Sequence, residues 1–305
     1  MQKLLIVGCG DIARRTLPRL IGRYRVFALL RNSAECAWWR SGGALPVIAD
    51  LDSASSLERI AGLADLVLHF APPPSSMEKS GPPVDARTRK LLAALGKGKS
   101  LPQRLVYIST SGVYGDCQGE HIDETRTPRP STARALRRVD AERQLRAFGQ
   151  RNRVEVSILR APGIYAADRL PIERLKKAAQ VLCDEDDVYT NHIHADDLAM
   201  LACAALRYAR PNRVYNACDN SELKMGEYFD LVAQRFALPK PVRLSRSAAA
   251  GALSPMQLSF MGESRRLNNQ RITRELHAIL RYPRVEDGVE AAWIKWNYVD
   301  HIEEK

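Results

Sequence analysis

The sequence predicts an α/β protein built on a doubly wound parallel sheet, followed by a smaller, mostly helical region. Three observations predict it. Short apolar runs rich in Val, Ile and Leu alternate with helix-length amphipathic segments through the first half of the chain, as in a parallel sheet covered on both faces. The first run, Lys3-Leu4-Leu5-Ile6-Val7, stops at a glycine turn, Gly8-Cys9-Gly10-Asp11-Ile12-Ala13. At 305 residues the chain is long enough for one large α/β domain with or without an appendage.

Taken in order, the strand at 3–7 ends where two glycines permit a sharp bend and leave bare main chain for a pyrophosphate to lie against. Ala13 is the third small position, where helix packs on strand. A helix near 12–21 then aims its N-terminal N–H groups and the positive end of its dipole at the phosphates. Further strands are predicted at 25–30, 46–49, 65–70, 104–109 and 154–159, with helices near 53–62, 84–95 and 132–148. The proline-rich stretch from Ala71 to Pro83 is a loop after the fourth strand, because the sheet pattern resumes beyond it. After Arg160 the pattern loosens into a helix near 171–181, another at 196–208, a strand at 213–217 and mostly helices to the end. The division expected is a dinucleotide-binding domain of the Rossmann type over 1–165 and a substrate-binding region over 166–305, partly interleaved with the sheet. Ligands of such sheets bind beyond the carboxyl ends of the strands, so the loops after strands one, two, four, five and six are the informative ones.

Composition narrows the classes. A hydrophobic fraction of 45% is ordinary for a soluble protein. No apolar run approaches the roughly 18 residues of a membrane span, and LLIV is too short for a signal-peptide core. A cytoplasmic protein is expected. The six cysteines are scattered, with no C-x-x-C pair, which implies a reduced compartment and no metal framework. His192 and His194 form an H-x-H without a third spaced ligand, so no metal is expected. The net charge of +11 invites a nucleic-acid partner, but the basic residues are interleaved with acids and no reading motif accompanies them. A small anionic ligand is the preferred consequence.

Four segments in order carry a family resemblance over nearly the whole chain. They are GCGDIA after strand one, Ile108-Ser109-Thr110-Ser111-Gly112-Val113-Tyr114-Gly115 after strand five, Leu159-Arg160-Ala161-Pro162-Gly163-Ile164-Tyr165 after strand six, and Asn191-His192-Ile193-His194-Ala195-Asp196-Asp197-Leu198. Together they resemble the extended short-chain dehydrogenase/reductase family, which includes nucleotide-sugar epimerases and dehydratases. The resemblance implies a nicotinamide cofactor, a small-molecule substrate and, as in many relatives, pairing into a homodimer.

That family's catalytic set is a Ser or Thr after strand five and a Tyr-x-x-x-Lys pair on the next helix. The Tyr exchanges a proton with a substrate hydroxyl, and the Lys holds the ribose and lowers the Tyr pKa. Thr110 falls at the Ser/Thr position, but Arg134 and Arg138 stand where the Tyr and Lys belong. Guanidinium groups stay protonated, so neither serves as an ordinary general acid or base. Arg138 keeps a position that faces the nicotinamide ribose. The alternative for this helix is a solvated ladder of Arg134, Arg138 and Glu142 at i, i+4 spacing. Ser111-Gly112 replaces the Asp-Glu pair of the sugar-nucleotide dehydratases, which disfavours that reaction.

At the end of strand two an acid would favour NAD, and this chain has Arg31-Asn32-Ser33 instead. Arg31 suits a 2′-phosphate with Asn32 beside it, so NADP is expected, with NAD as the alternative. Asp50 and Leu51 resemble the family's adenine-contacting pair. Gly8, Gly10, Asp11, Ile12, Ala71, Pro72 and Pro162 complete the expected cofactor contacts, while His69 ends a buried strand. On the substrate side the resemblance points to Ser111, Tyr114, Arg134, Asn191 and His192, with Arg266 as an anion holder. Asp196 or Asp197 is expected to cap the helix beginning near Leu198. Two functions follow: an NADP-preferring oxidoreductase or epimerase-like enzyme using Thr110 and Arg138, or a non-catalytic NADP-binding sensor or regulator.

Overall fold

The computed structural model describes residues 1–74 and 83–303; Pro82 and the rest of the proline-rich loop from 75 lie outside them. In chain order the strands are β1 (Lys3–Val7), β2 (Arg25–Leu30), β3 (Leu45–Ile48), β4 (Leu66–His69), β5 (Arg104–Thr110), β6 (His121–Ile122), β7 (Glu155–Ala161), β8 (Gly163–Tyr165), β9 (Gln180–Leu182), β10 (His192–His194), β11 (Arg213–Asn216), β12 (Val242–Leu244) and β13 (Arg266–Leu267). Seven of them form one parallel sheet in the order β11-β7-β5-β4-β1-β2-β3. The order changes direction between β1 and β4, the place where doubly wound sheets open a crevice. The six strands expected in the first half are all present. The seventh comes from the second half, since β11 pairs with β7 at the edge.

Four successive large aliphatics in β1 are fully buried, which requires cover on both faces. Alternation along the strand divides them. Leu4 and Ile6 join the core under α1 (Asp11–Leu20), and Leu5 and Val7 the one on the opposite face. The helices that follow are α2 (Cys36–Ser41), α3 (Ala86–Gly96), α4 (Ala133–Asn152), α5 (Ile172–Lys176), α6 (Ala195–Tyr208) and α7 (Met225–Arg235). Leu91 and Leu95 of α3 and Ala141 and Leu145 of α4 fill the core on the Leu5 side. Leu198, Leu201 and Ala202 of α6 share the Leu4 side with α1, so α6 and β11 belong to the sheet layers. A separate core gathers Tyr165, Leu175, Val181, Phe229, Val232, Val285 and Val289, and the site region is built around it.

Two expected helices come out differently. The segment near 53–62 is a 3-10 turn, Ser55–Ile60, whose buried Leu57 and Ile60 stand three residues apart, the spacing that a three-residue turn stacks on one side. The helix near 171–181 stops at Lys176; Ala178 takes a φ of 50° and the chain returns as β9, burying Val181 and Leu182 beside β12.

A buried ion pair ties α4 to the sheet. Glu142 and Arg160 meet at 2.7 Å with side chains 5% and 3% exposed, and Ser109 at the end of β5 donates to Glu142 Oε1 at 2.7 Å. Among the described residues no helix is long and apolar enough to cross a membrane.

Candidate functional site

The turn after β1 uses its glycines for two different purposes. Gly8 has a φ of +90°, and a Cβ there would lie 2.2 Å from the backbone nitrogen of Ala71. It is demanded by the close approach of the loop after β4. Gly10 has nothing within 4 Å of where a Cβ would stand, and it caps α1 without a side chain. The first-turn N–H groups of α1 therefore face open space, the arrangement that receives an anion.

That space is a cleft of about 770 Å³ along the carboxyl ends of the strands. Gly8, Gly10, Asp11, Ile12, Arg31, Asn32, Asp50, Leu51, Ala71, Pro72, Thr110, Arg134, Arg138 and Pro162 all line it. Arg31 is exposed and has no ion pair among the described residues, whereas nearby Glu35 is held by Arg14 at 3.1 Å. Asn32 uses its side-chain oxygen to accept from the N–H of Ala34 at 2.9 Å. A second cavity of about 480 Å³ opens beside the first. Thr110, Arg134, Pro162, Ile164 and Arg169 line both, and Ser111, Asn191 and His192 line only the second.

At the junction, Thr110 ends β5, and its hydroxyl oxygen accepts from the N–H of Gly112 at 3.2 Å, opening the turn Ser111–Tyr114. Its O–H hydrogen stays available to a ligand. Arg138, one helical turn beyond Arg134, donates to the hydroxyl of Tyr107 at 2.8 Å and to the carbonyl of Ile108 at 2.9 Å. Glu142 is turned inward to Arg160. The solvated ladder does not form, because two of its three members are occupied by the ends of β5 and β7.

Three further expectations are corrected. Tyr114 is buried with its hydroxyl donating to Asn216 Oδ1 at 2.7 Å and its ring beneath Arg160, so it lies on neither cavity wall. Arg266 donates to the carbonyl of Gly119 at 2.8 Å and covers the ring of Tyr189, itself a wall residue of the second cavity, without lining either cavity. Its neighbour Arg265 reaches the second cavity instead, since consecutive residues of an extended segment point to opposite sides. Helix α6 begins at Ala195 and is capped by the His194 ring, whose Nδ1 accepts from the N–H of Asp196 at 3.2 Å. Asp197 accepts from the N–H groups of Arg281 and Tyr282, and Asp196 pairs with Arg15 at 2.7 Å.

His192 is placed by pairing of β10 with β8, where it stands opposite Gly163. It is 6% exposed, its ring lies 4.5 Å from that of Tyr228, and neither ring nitrogen has a hydrogen bond among the described residues. Burial pushes its pKa down to about 4, so the imidazole is neutral at pH 7. His69 ends β4 fully buried, sharing a hydrogen bond of 2.9 Å with the Thr88 hydroxyl, and lines neither cavity. Behind His192, the N–H of Asp219 donates to its carbonyl at 2.8 Å. Asp219 is 3% exposed, accepts from the N–H of Ser221 and leaves Oδ2 unpartnered. Burial, with Glu286 and Asp197 adding negative charge, pushes its carboxyl up to about 7.

Sequence reading missed Arg169, Arg174, Arg265 and Tyr228 on the second cavity wall, where Tyr165, the last residue of a family segment, also stands. For the arginines the only advance signal was the excess of that residue. Arg174 lies 4.7 Å over the Phe229 ring and has no ion pair among the described residues, while Arg265 is held by Glu263 at 2.8 Å.

A family model described as the NAD dependent epimerase/dehydratase family matches residues 4–218. Human dTDP-D-glucose 4,6-dehydratase is 22% identical over 131 residues, a match that takes in 40% of this chain; the chain spans only 37% of that relative's length. Among solved structures, a functionally unknown conserved protein from Silicibacter pomeroyi DSS is 27% identical, with a TM-score of 0.76 over 97% of this chain and 99% of the other. UDP-glucose 4-epimerase from Thermotoga maritima, solved with UDP-glucose, is 17% identical with a TM-score of 0.77 over the same shares, a likeness of fold.

Proposed function

Because the chain belongs to the NAD dependent epimerase/dehydratase family, we propose that it is an NADP-preferring oxidoreductase or epimerase-like enzyme acting on a small polar, anionic substrate. The supporting observation is the meeting of two cavities at Thr110, Arg134, Pro162, Ile164 and Arg169. In this reading residues 1–165 hold the dinucleotide and 166–305 shape the substrate cavity, with α6 and β11 returning to the sheet.

The residues of the first cleft fit the cofactor. The open face of Gly10 and the first turn of α1 would take the diphosphate, Arg31 and Asn32 the 2′-phosphate, and Asp50 and Leu51 the adenine. Ala71, Pro72 and Pro162 would border the chain leading to the nicotinamide, which supplies hydride exchange when bound. Arg138 would steady that end through its hold on β5. On the substrate side, Thr110 donates its hydrogen bond to the reacting oxygen. Arg134 is a fixed positive charge there, suited to stabilising developing negative charge and not to exchanging a proton. Neutral His192, with Nδ1 unengaged among the described residues, offers the substrate a hydrogen-bonding partner and not a base, since burial holds its pKa at about 4. Ser111 and Asn191 complete the wall, and Arg174 and Arg265 favour an anionic substrate.

A specific observation favours a second reading, a non-catalytic NADP sensor. Arg138, at the family's Lys position, is engaged by Tyr107 and Ile108. Titration with NADPH and NADH, followed by quenching of the tryptophans, and a screen of carbonyl compounds at the reduced-nicotinamide absorbance separate the two. Binding with turnover is expected; tight binding with no turnover across the screen would favour the sensor, and failure to bind either nucleotide would remove both readings.

Arg31→Ala is expected to weaken NADPH binding about 10- to 100-fold, the worth of one or two hydrogen bonds to a charged group. NADH binding should be unchanged. Equal weakening of both by calorimetry would show that Arg31 does not read the 2′-phosphate.

A further inference from the structure

We propose that Arg169, carried by the second half of the chain, is a ligand of the cofactor diphosphate, and that its capture links occupancy of the first cavity to the wall of the second. The inference rests on the reading of the first cleft as the NADP site.

Arg169 closes a 3-10 turn, Ala167–Arg169, that follows β8. It is one of the residues lining both cavities. Its guanidinium is ion-paired at 2.8 Å with Oδ2 of Asp11, the first residue of α1. An anion seated on the first turn of α1 therefore lies beside both a carboxylate that repels it and a guanidinium that attracts it. The two respond differently.

Asp11 has a second cation. Arg15 donates from Nε to both of its carboxylate oxygens, at 3.0 and 2.9 Å, and is itself fixed by Asp196 at 2.7 Å. Asp11 stays neutralised if Arg169 leaves it. Arg169 has no other ion pair among the described residues, so its fork is free to pass to the diphosphate, where a bidentate charge-assisted contact is stronger than the single ion pair it leaves. Half-exposed and long, the side chain makes that transfer by rotation about its own bonds. The next residues, Leu170, Pro171 and Glu173, line the second cavity. Fixing Arg169 on the cofactor thus orders the wall against which a substrate binds.

The test uses the full chain, with NADPH and adenosine 2′-monophosphate as probes. The second probe keeps the 2′-phosphate and lacks the diphosphate. Arg169→Met, with folding checked by its melting curve, is expected to weaken NADPH about tenfold and to leave adenosine 2′-monophosphate unchanged; Arg169→Lys should recover part of the loss. Hydrogen exchange in residues 166–174 should slow on adding NADPH to the wild type and not to Arg169→Met. If the wild type binds neither NADPH nor NADH, the reading of the cleft falls. If the wild type binds NADPH and Arg169→Met binds it equally well, or weakens both probes alike, the assignment of Arg169 falls and the cleft stands.

Discussion

Asp219→Asn is expected to raise the melting temperature by roughly 5–10 °C at pH 8 and by far less at pH 4. In the unfolded chain the carboxyl ionises near 3.8, and in the folded protein burial holds the proton until about 7. Below pH 3.8 both states carry the proton and the group costs nothing. As pH rises from there to about 7, the unfolded chain releases a proton that the folded protein keeps, so stability falls; above 7 the loss is complete and constant. A shift of this size corresponds to roughly 4 kcal/mol. The amide removes the ionisation while keeping an oxygen for the Ser221 N–H. Calorimetric scans of both proteins at the two pH values test this, and an equal difference at each would show that the buried carboxyl is not the source. Since the N–H of Asp219 donates to the carbonyl of His192, the same ionisation places a negative charge behind the wall of the second cavity near neutral pH.

Glu142→Gln should lower stability by about 3–5 kcal/mol, the cost of leaving one partner of a buried pair without its counter-charge. Arg160 Nη1 already lacks a partner, so the remaining guanidinium has no alternative acceptor at hand. The double variant Glu142→Leu with Arg160→Met should recover most of the loss, because removing both charges removes the desolvation penalty as well. Denaturant midpoints at pH 7 give the comparison. A single variant as stable as the wild type would mean that water reaches Arg160. The single change should also loosen Thr110, whose neighbour Ser109 loses its charged acceptor.

What was legible in the sequence follows from range. The strand, glycine turn and helix at 3–20 are written in neighbouring residues, and the cleft collects residues from strand ends whose order in a doubly wound sheet follows a topological rule. Arg31, Asp50 and Thr110, each at or just beyond a strand end, therefore fall along one cleft. The second cavity has no such rule. Of its walls, Gly163, Ile164, Tyr165 and His192 come from β8 with β10, a pair of three residues in which alternation has no room to show, and the rest come from turns, loops, helices and the end of β5. Arg265, just before β13, lines the cavity where Arg266 was expected, a difference of one residue. Tyr114 belongs to a familiar loop pattern, yet the turn opened by Thr110 swings it to Asn216, a contact 102 residues away in sequence. Arg169 and Tyr228 are brought in only by the completed fold.

The place of β11 bears on how the molecule comes into being. During synthesis β7 emerges more than fifty residues before the strand that will cover its outer edge, and α6, which shields the face shared with α1, emerges only just ahead of it. Until residue 216 has joined, the nascent sheet carries an uncapped row of backbone donors and acceptors along a strand of buried character. The first half of the chain is thus an unfinished structure while it stands alone, and the segment that finishes it is the one that follows α6.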